Sequence, residues 1–497
     1  MTTMLQELFL ALPQMSVAIG ALVLMLLSGS KIALEKLNYL SVVFLLFSLL
    51  ISLANYGDHD SRYLFEAVFG QSFIVDDFSL LFDMIFAIGA ILTLLINTPY
   101  FQSRSYVNGE YFALILFSVF GMMMLSHAHE LLSVFIALEI ASLSIYALVG
   151  YHKNKAVSAE AMMKYLILGG VGGAFFMLGT ALIYAAVGAT SLTQIAQYVH
   201  LHSLEELDLI LVGGSFILVT IAFKIGAVPF HSWVLDVYHG APYPITMFMA
   251  STFKIAIFAI ALRLYIVNFA AINSFWTPML QVLTIVTLLG GSWLAIRQSL
   301  IKRMLAGSSI VHSGYLLIAI SSVGLGSELA APAIMFYLIA YFLSAVGAFG
   351  ILSFIASQSR KQMSYEDFKG FANRRPYMAL MMSIFMLSLA GFPSTIGFLG
   401  KLYIFTSAIE SGQILLAGLG IATAFISVYY YFKLIAMMYF YPSQEEQKPL
   451  PLGISTILIA LMALIIVWGG IGTSLIPFIP GADSFLDLAQ QAIRSLR

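Results

Sequence analysis

The chain has 497 residues, of which 61% are hydrophobic and only 9% are charged, and its formal net charge is −1. Soluble domains carry roughly 25% charged residues, so this composition indicates a polytopic membrane protein and gives no sign of a nucleic-acid partner. The sequence contains no cysteine, which excludes disulfides, thiolate iron–sulfur ligation and cysteine-bound zinc, so any redox centre would belong to another chain.

The chain contains fourteen apolar segments that are long enough to span about 30 Å of hydrocarbon. They centre near residues 18, 46, 87, 118, 140, 174, 217, 255, 287, 313, 344, 385, 426 and 462. The first run, within MTTMLQELFLALPQM, lacks the basic region of a cleaved signal and predicts a retained membrane helix. The tail SFLDLAQQAIRSLR is amphipathic and predicts a surface helix. The predicted fold is an all-α polytopic membrane protein with about 14 transmembrane helices.

Lysine and arginine in the loops predict the orientation, because cytoplasmic loops carry an excess of these residues. If the N-terminus lies outside, the loops after odd-numbered helices face the cytoplasm and hold fourteen basic residues against three on the other side. The fourteen are Lys31, Lys36, Arg104, Lys153, Lys155, Arg297, Lys302, Arg303, Arg360, Lys361, Lys369, Arg374, Arg375 and Lys448. The three are Arg62, Arg494 and Arg497. We therefore expect both termini outside.

Glycine and proline break two segments in a similar way, in AFKIGAVPFHSW around Pro229 and in LAGFPSTIGFLGK around Pro393. The breaks fall in the seventh and twelfth predicted helices. Since five is an odd number, a five-helix repeat would insert its two copies with opposite topology, and paired broken helices in an inverted repeat indicate an ion site in transporters. The predicted division is 1–110 (helices 1–3), 111–268 (helices 4–8, first repeat), 269–440 (helices 9–13, second, inverted repeat) and 441–497 (helix 14 and tail).

Five charged residues interrupt apolar segments: Glu139, Lys164, Lys224, Lys254 and Lys401. A charge near the bilayer centre costs at least about 3 kcal/mol. A lysine near a helix end can reach the headgroups without any further role, and this applies most to Lys164. Burial favours the neutral amine and a nearby carboxylate favours the ammonium, so a Glu–Lys pair that forms and separates can load and release a proton. Arginine could not do this, and the pattern favours proton movement through the membrane.

Two histidines are further candidates for a proton relay. His231 follows the first break and His312 lies in the tenth predicted helix, and both residues titrate near neutral pH. A lone histidine in a helix bundle is usually only hydrogen-bonded, but the row of lysines makes a relay role equally plausible.

Other polar residues have simpler interpretations. His127, His129 and Glu130 are expected to be solvated at an external loop, and Asp83 to cap or pair within the third helix. Arg263 and Lys433 are expected to be anchors near helix ends. The glycine cluster in LGGVGGAF (Gly169, Gly170, Gly172 and Gly173) is typical of close helix packing and not of a phosphate loop, because it lies in a membrane span and follows no strand.

Three motifs resemble those of the antiporter-like membrane subunits of proton-pumping NADH:quinone oxidoreductase, respiratory complex I. They are AFKIGAVPFHSWVLDVYHGAPYPIT, IKRMLAGSSIVHSGYLL and LSLAGFPSTIGFLGKLYIF, and the similarity runs from about residue 70 to 440. Within this superfamily the chain is most similar to the subunit N family. It ends soon after a fourteenth helix, it carries Lys401 where subunit M typically has glutamate, and EAMMKYLILGGVGGAFFMLGTALIYAAVG resembles the sixth helix of subunit N.

The resemblance implies a role for each candidate residue. Glu139 and Lys224 match the coupled Glu–Lys pair, Lys164 an additional sixth-helix lysine, Lys254 the central connecting lysine, Lys401 the terminal lysine, and His231 and His312 the histidines of the hydrated axis. Quinone reduction in neighbouring subunits would then drive a proton from the cytoplasm to the outside through this chain.

The resemblance also implies a setting. The chain would be a subunit of a proton-translocating oxidoreductase in the bacterial inner membrane, with both termini periplasmic and with the antiporter-like subunit M and the small subunit K as neighbours. It would bind no cofactor itself, whereas FMN, iron–sulfur clusters, NADH and quinone would be bound by other subunits.

Three alternatives remain open at the level of the sequence. A subunit of a multi-subunit cation/proton antiporter or of a membrane-bound hydrogenase would share the same motifs. A stand-alone solute transporter would be active as a single purified chain. A structural scaffold would not explain five charges within apolar segments.

Overall fold

The computed structural model of the chain describes residues 7–57, 63–64, 71–358, 362–442, 453–471 and 481–496. Residues 1–6, with which the stretch MTTMLQELFLALPQM begins, lie outside the described residues. So do five basic residues that contributed to the predicted orientation: Arg62, Arg360, Lys361, Lys448 and Arg497.

The described part of the chain is almost entirely helical. In chain order the helices are α1 (Leu12–Leu27), α2 (Leu34–Asn55), α3 (Asp77–Ile96), α4 (Thr98–Gln102), α5 (Gly109–His127), α6 (Leu131–Val149), α7 (Ala156–Val187), α8 (Leu192–Leu201), α9 (Asp208–Ile225), α10 (Val234–Gly240), α11 (Tyr243–Phe248), α12 (Lys254–Leu264), α13 (Asn273–Ile296), α14 (Ile301–Gly324), α15 (Ala330–Gln358), α16 (Phe371–Arg374), α17 (Pro376–Ala390), α18 (Ile396–Glu410), α19 (Ile414–Tyr439), α20 (Ile454–Ile471) and α21 (Ala482–Arg494). A two-residue antiparallel pair, β1 (Tyr63–Leu64) with β2 (Ile74–Val75), precedes α3.

Twelve of the described helical segments are long and apolar enough to cross a membrane. They are α2, α3, α5, α6, α7, α9, the continuous stretch Tyr243–Phe269 that contains α11 and α12, α13, α14, α15, α19 and α20. Two shorter apolar helices, α1 and α17, complete the set. Each of the fourteen predicted segments therefore has its helix, and the predicted all-α polytopic fold is confirmed.

The centre of the bundle is α14, whose apolar stretch is entirely buried. It packs against α10, α13, α15, α18 and α19. The outer helices expose apolar side chains instead, such as Ile167, Val282 and Phe425. An apolar exterior around a buried core is what a hydrocarbon solvent allows. The amphipathic tail forms α21, which packs against α15 and α3.

Both predicted breaks are present and have the same geometry. Gly226 ends α9 with φ 73° and Gly391 ends α17 with φ 81°, a left-handed conformation that glycine adopts without the steric cost of a Cβ. In each case the next residue donates its N–H to the carbonyl five residues earlier, at 2.8 and 2.9 Å. This is the Schellman termination, and it leaves the last carbonyls of both helices directed into the interior of the bundle.

Helix α12 begins at Lys254, directly after a π-helical turn at Met249–Phe253. A second π turn at Tyr265–Phe269 follows α12. Single π turns inside helices frequently mark functional positions. Lys254 therefore lies where the helix changes from π to α winding. The apolar part of the segment Tyr243–Phe269 around it is entirely buried.

Two of the simpler interpretations of polar residues are wrong. His127 is buried, and its Nε2 lies 2.9 Å from Oδ2 of Asp83, which confirms that Asp83 pairs. Arg263 is also buried, and its guanidinium donates two hydrogen bonds of 2.9 Å to the carboxylate of Asp76. Both residues lie near helix ends in the sequence, but neighbouring elements cover those ends in the fold. Pairing offsets the desolvation of the buried charges.

Candidate functional site

The first buried lysine lies two residues before the glycine at which its helix breaks. Lys224 is 3% exposed near the end of α9. Its ammonium donates hydrogen bonds to Oγ of Ser142 (2.8 Å) and to the hydroxyl of Tyr146 (3.0 Å), both on α6. Among the described residues no carboxylate lies within 4 Å of this ammonium, and both of its hydrogen bonds go to hydroxyl groups.

Glu139 lies on the same face of α6, one turn before Ser142 and two turns before Tyr146. Its Oε1 is buried and has no hydrogen-bond partner among the described residues. Gly173 of α7 packs against it, because a Cβ at that position would lie 3.2 Å from Oε1. The structure therefore places Glu139 beside the Lys224 site without a direct ion pair, and Ser142 and Tyr146 are the shared neighbours.

The central lysine connects the two breaks through α14. Lys254 is 5% exposed, and its ammonium donates to the carbonyl of Ser309 (2.7 Å), to Oγ of Ser309 and to Oγ of Ser313 (3.0 Å). Oγ of Ser313 in turn donates to the carbonyl of Ile225 at 2.8 Å. That carbonyl is one of those freed by the break in α9. A hydrogen-bonded path thus leads from the Lys224 break to Lys254.

His312 continues the row along α14. Its two ring nitrogens hydrogen-bond the hydroxyls of Tyr337 and Tyr431, the latter at 3.0 Å. The ring of Tyr341 lies between it and Lys254, with its centroid 4.8 Å from the imidazole and 5.7 Å from the ammonium. Because hydroxyls donate or accept, His312 can hold its proton on either nitrogen without losing a partner.

Lys401 occupies the second break. It is 4% exposed on α18, and its ammonium donates to the carbonyls of Leu389 (2.8 Å) and Ala390 (2.9 Å) at the end of α17. The ring of Tyr315 joins it to His312, with its centroid 5.0 Å from the ammonium and 5.8 Å from the imidazole. In a continuous helix these carbonyls would accept hydrogen bonds from backbone N–H groups. At the break they accept hydrogen bonds from the Lys401 ammonium instead.

In the described part of the chain, three predicted site residues are not joined to this row by a hydrogen bond or ring contact: Glu139, Lys164 and His231. Lys164 is 41% exposed and forms ion pairs with Glu160 (2.7 Å) and Asp236 (2.8 Å). Asp236 also binds Arg303 at 3.0 Å. His231 lies in the first break and is only partly buried. The sixth-helix lysine therefore belongs to a surface ion-pair cluster, separate from the buried row.

Sequence reasoning missed the hydroxyl groups between the lysines. They are Ser142, Tyr146, Ser309, Ser313, Tyr315, Tyr337, Tyr341 and Tyr431. A signal for some of them is present, since Ser142 and Tyr146 follow Glu139 at helical spacing. The tyrosines of α15 and α19 carry no such signal, because they approach His312 from other helices.

Four ionisable groups thus lie in one file through the middle of the bundle: Lys224, Lys254, His312 and Lys401. Hydroxyls and freed carbonyls separate them, and each such group can accept a hydrogen bond from a protonated amine. Hydroxyls can also donate to a neutral amine. The described residues include no group of three or more His, Cys, Asp or Glu side chains that could hold a metal ion.

This fold and its file of buried amines define a polytopic membrane subunit of the antiporter type. The profile of the family described as NADH:quinone oxidoreductase/Mrp antiporter matches residues 128–427. The chain is 38% identical to the NADH-quinone oxidoreductase subunit N of Trichlorobacter lovleyi over 426 residues, which cover 86% of this chain and 85% of that protein. The chain belongs to the subunit N family of NADH-quinone oxidoreductases.

Solved structures agree with this assignment. A chain of respiratory complex I from Thermus thermophilus superposes with a TM-score of 0.77 and 29% identity, covering 92% of this chain and 96% of that one. A chain of the membrane-bound sulfane sulfur reductase, an archaeal respiratory membrane complex, has a TM-score of 0.86 and 25% identity, covering 98% and 97%. The same bundle therefore occurs in two kinds of respiratory membrane complex.

Proposed function

We propose that this chain is the membrane-arm subunit through which an NADH:quinone oxidoreductase couples electron transfer to proton translocation. The observation that supports this function is the file of Lys224, Lys254 and Lys401, each buried and each solvated by hydroxyls or carbonyls. A static structural lysine in such a place would be expected to have a carboxylate partner. These three have no carboxylate within 4 Å among the described residues, so no ion pair holds any of them in the protonated state.

The proposed relay begins at Glu139 and Lys224. When the ammonium of Lys224 turns towards Glu139, the carboxylate stabilises the charge, and when it turns to Ser142 and Tyr146 only dipoles do so. Separating the pair therefore favours release of the proton towards Ser313 and Lys254. His312 then passes the proton to the amine of Lys401, and the freed carbonyls of the second break stabilise the resulting ammonium by accepting its hydrogen bonds.

The remaining residues have supporting roles in this proposal. His231, in the first break, would supply protons to Lys224, and Lys164 would adjust the field around the Glu139 pair from the ion-pair cluster on α7. The functional units would be 111–268 and 269–440, the two inverted repeats, with 1–110 and 441–497 as flanking helices.

The proposed setting is a bacterial inner membrane with both termini on the periplasmic side. Neighbouring membrane-arm subunits, an antiporter-like subunit M and a small subunit K, would flank the chain. NADH, FMN, iron–sulfur clusters and quinone would be bound elsewhere in the complex, and their redox energy would reach this subunit through charge rearrangement along the membrane arm. Such coupling requires linked two-state elements, and the Glu139–Lys224 pair would be the element in this chain.

The test is NADH-driven proton pumping by membrane vesicles that carry Lys224→Ala or Glu139→Gln. We expect both variants to assemble and to pump at about a tenth of the wild-type rate or less, which corresponds to about 1.4 kcal/mol or more on the limiting barrier. Lys31→Ala, an exposed lysine, is the matched control. Normal pumping by an assembled Glu139→Gln complex would disprove the relay.

The same test distinguishes the proposed function from that of a cation/proton antiporter subunit. Such a subunit would move protons in exchange for a cation gradient, whether or not NADH is oxidised. Pumping that depends on NADH and is insensitive to Na⁺ or K⁺ gradients supports the oxidoreductase subunit.

A further inference from the structure

A cavity of about 300 Å³ lies at the end of the bundle that is predicted to face the cytoplasm. The segment after α4, the loop after α6, the turn between α10 and α11 and the first turn of α14 form its walls. The lining residues that matter here are Tyr100, Arg104, Lys155, His239, Tyr243 and Lys302. None of the relay residues proposed above lines it, so the cavity is a separate feature of the molecule.

The cavity is positively charged and carries no anion of its own. Three cationic side chains line it, Arg104, Lys155 and Lys302, and no aspartate or glutamate is among the described residues that do so. Burial, together with the nearby charges of Lys302 and Arg303, lowers the pKa of His239 to about 4. The imidazole is therefore neutral at neutral pH and adds no charge to the cavity.

Lys302 is the strongest sign that something anionic belongs here. Its side chain is only 6% exposed, although it lies in the first turn of α14. Its ammonium donates to the carbonyl of Ala241 and lies 4.4 Å from the ring centroid of Tyr243. No carboxylate lies within 4 Å of it in the described part of the chain. A buried charge normally has a counter-charge. Lys302 lines the cavity, so a counter-ion for its ammonium could bind there.

We propose that this cavity binds the phosphate group of an anion, either an anionic lipid headgroup or free phosphate. Phosphate matches the donors, because the two lysines offer ammonium groups and the guanidinium of Arg104, which donates to the carbonyl of Ala356, adds a third positive charge. Basic pockets between helices on the cytoplasmic side of membrane proteins bind lipid headgroups in this way. The volume of about 300 Å³ is at the lower end of the range for small-molecule sites, which suits a headgroup or phosphate.

The test is hydrogen–deuterium exchange of the purified complex in detergent, followed in segments 100–106, 152–156 and 239–243. Three additions are compared: dioleoylphosphatidylglycerol, dioleoylphosphatidylcholine and inorganic phosphate. We expect phosphatidylglycerol, at about ten times its dissociation constant, to slow exchange about tenfold in these segments. Slowing by inorganic phosphate as well would show that the phosphate group alone suffices, and slowing by phosphatidylglycerol alone would identify the lipid.

Variants make the assignment specific. Lys302→Gln should abolish the slowing, and Lys155→Gln, at an exposed position that the fold tolerates, should weaken it several-fold if the first variant does not assemble. Lys36→Gln, an exposed lysine away from the cavity, should leave it unchanged. The proposal is overturned if neither anion slows exchange, if phosphatidylcholine slows it equally, or if the Lys155→Gln complex responds like wild type.

Discussion

At the scale of single residues, the side chains around the buried lysines are mostly serines and tyrosines. Ser142, Tyr146, Ser309 and Ser313 all accept hydrogen bonds from lysine ammonium groups. A hydroxyl can accept from an ammonium or donate to a neutral amine, whereas a carboxylate favours only the ammonium. Serine and tyrosine thus allow both protonation states of a lysine at the same place, which a proton relay requires.

Ser313 is the residue on which the hydrogen-bonded link between the first break and Lys254 depends. Ser313→Ala removes the hydroxyl between the carbonyl of Ile225 and the ammonium of Lys254, and leaves that carbonyl without this partner. A lost buried hydrogen bond of this kind costs about 1–3 kcal/mol, so we expect proton pumping to slow about tenfold while the complex still assembles. The measurement is NADH-driven acidification of vesicles.

The matched control for that substitution is Ser292→Ala on α13. Its hydroxyl is buried to a similar degree but bonds only the carbonyl of Leu288 in its own helix. Equal pumping rates in the two variants would mean that the hydroxyl of Ser313 is structural and not part of the path.

At the scale of elements, the two broken helices provide the polar surface of the site. A continuous helix uses its interior carbonyls in its own hydrogen bonds, whereas a break frees the last carbonyls of the helix for other partners. Here α17 ends at Gly391 and leaves the carbonyls of Leu389 and Ala390 to hold Lys401. In the other break the carbonyl of Ile225 binds Ser313. The two breaks are therefore used differently, since one holds a lysine directly and the other holds it through a serine.

Gly391→Ala tests the second break. The left-handed φ of 81° would cost an alanine about 1 kcal/mol. In addition, its Cβ would lie 2.8 Å from Cδ of Lys401, so the lysine must move from its carbonyls. We expect pumping to fall about tenfold or more, together with a small loss of thermal stability.

Gly412→Ala is the control for the backbone effect. Gly412 has a φ of 75°, and a Cβ there would meet nothing within 4 Å. It should reproduce the small stability loss without the loss of pumping. If both variants pump equally well, the position of Lys401 at the break does not matter for transport.

At the scale of the whole molecule, distant segments meet at the predicted cytoplasmic end. Asp236 of α10 binds both Lys164 of α7 and Arg303 of α14. Partial burial by itself would raise the pKa of Asp236, but the hydrogen bonds from the two cations outweigh it and hold the pKa below its usual range. This carboxylate remains ionised at any physiological pH and ties the short helix after the first break to both neighbours.

His239 gives this end of the molecule a pH dependence. Its pKa of about 4 in the folded chain lies below the usual value of 6.5. As the pH falls from about 6.5 to about 4, the unfolded chain binds a proton at this imidazole and the folded chain does not, so stability decreases through that window. We expect the exchange of its C2 proton, followed by mass spectrometry, to give a midpoint near 4.

His200, an exposed histidine on α8, is followed in the same experiment as the internal reference. A midpoint near 6.5 for His239 would show that the charges of Lys302 and Arg303 are already neutralised by a bound anion or screened by solvent. His239→Gln should remove this contribution to acid sensitivity between about pH 6.5 and about pH 4.

The helices were more predictable than the surroundings of their polar residues. Long apolar runs and Gly–Pro breaks are local in the sequence, so all fourteen segments and both breaks were found. The burial of His127 and Arg263 was missed, because it depends on Asp83 and Asp76, which lie far away in the chain. For the same reason the partial exposure of Lys164 was not anticipated, although its position near a helix start had indicated that possibility.

By itself the sequence determined the membrane environment, the number of helices, the places where they break and the identity of the ionisable residues. These follow from hydrophobicity, glycine and proline conformations and the cost of charge in hydrocarbon, all of which act within a few residues. The tertiary structure alone decided which groups surround each lysine. Hydrogen bonds reach only about 3 Å, and the partners of Lys224, Lys254 and Lys401 come from helices whose packing no local pattern specifies.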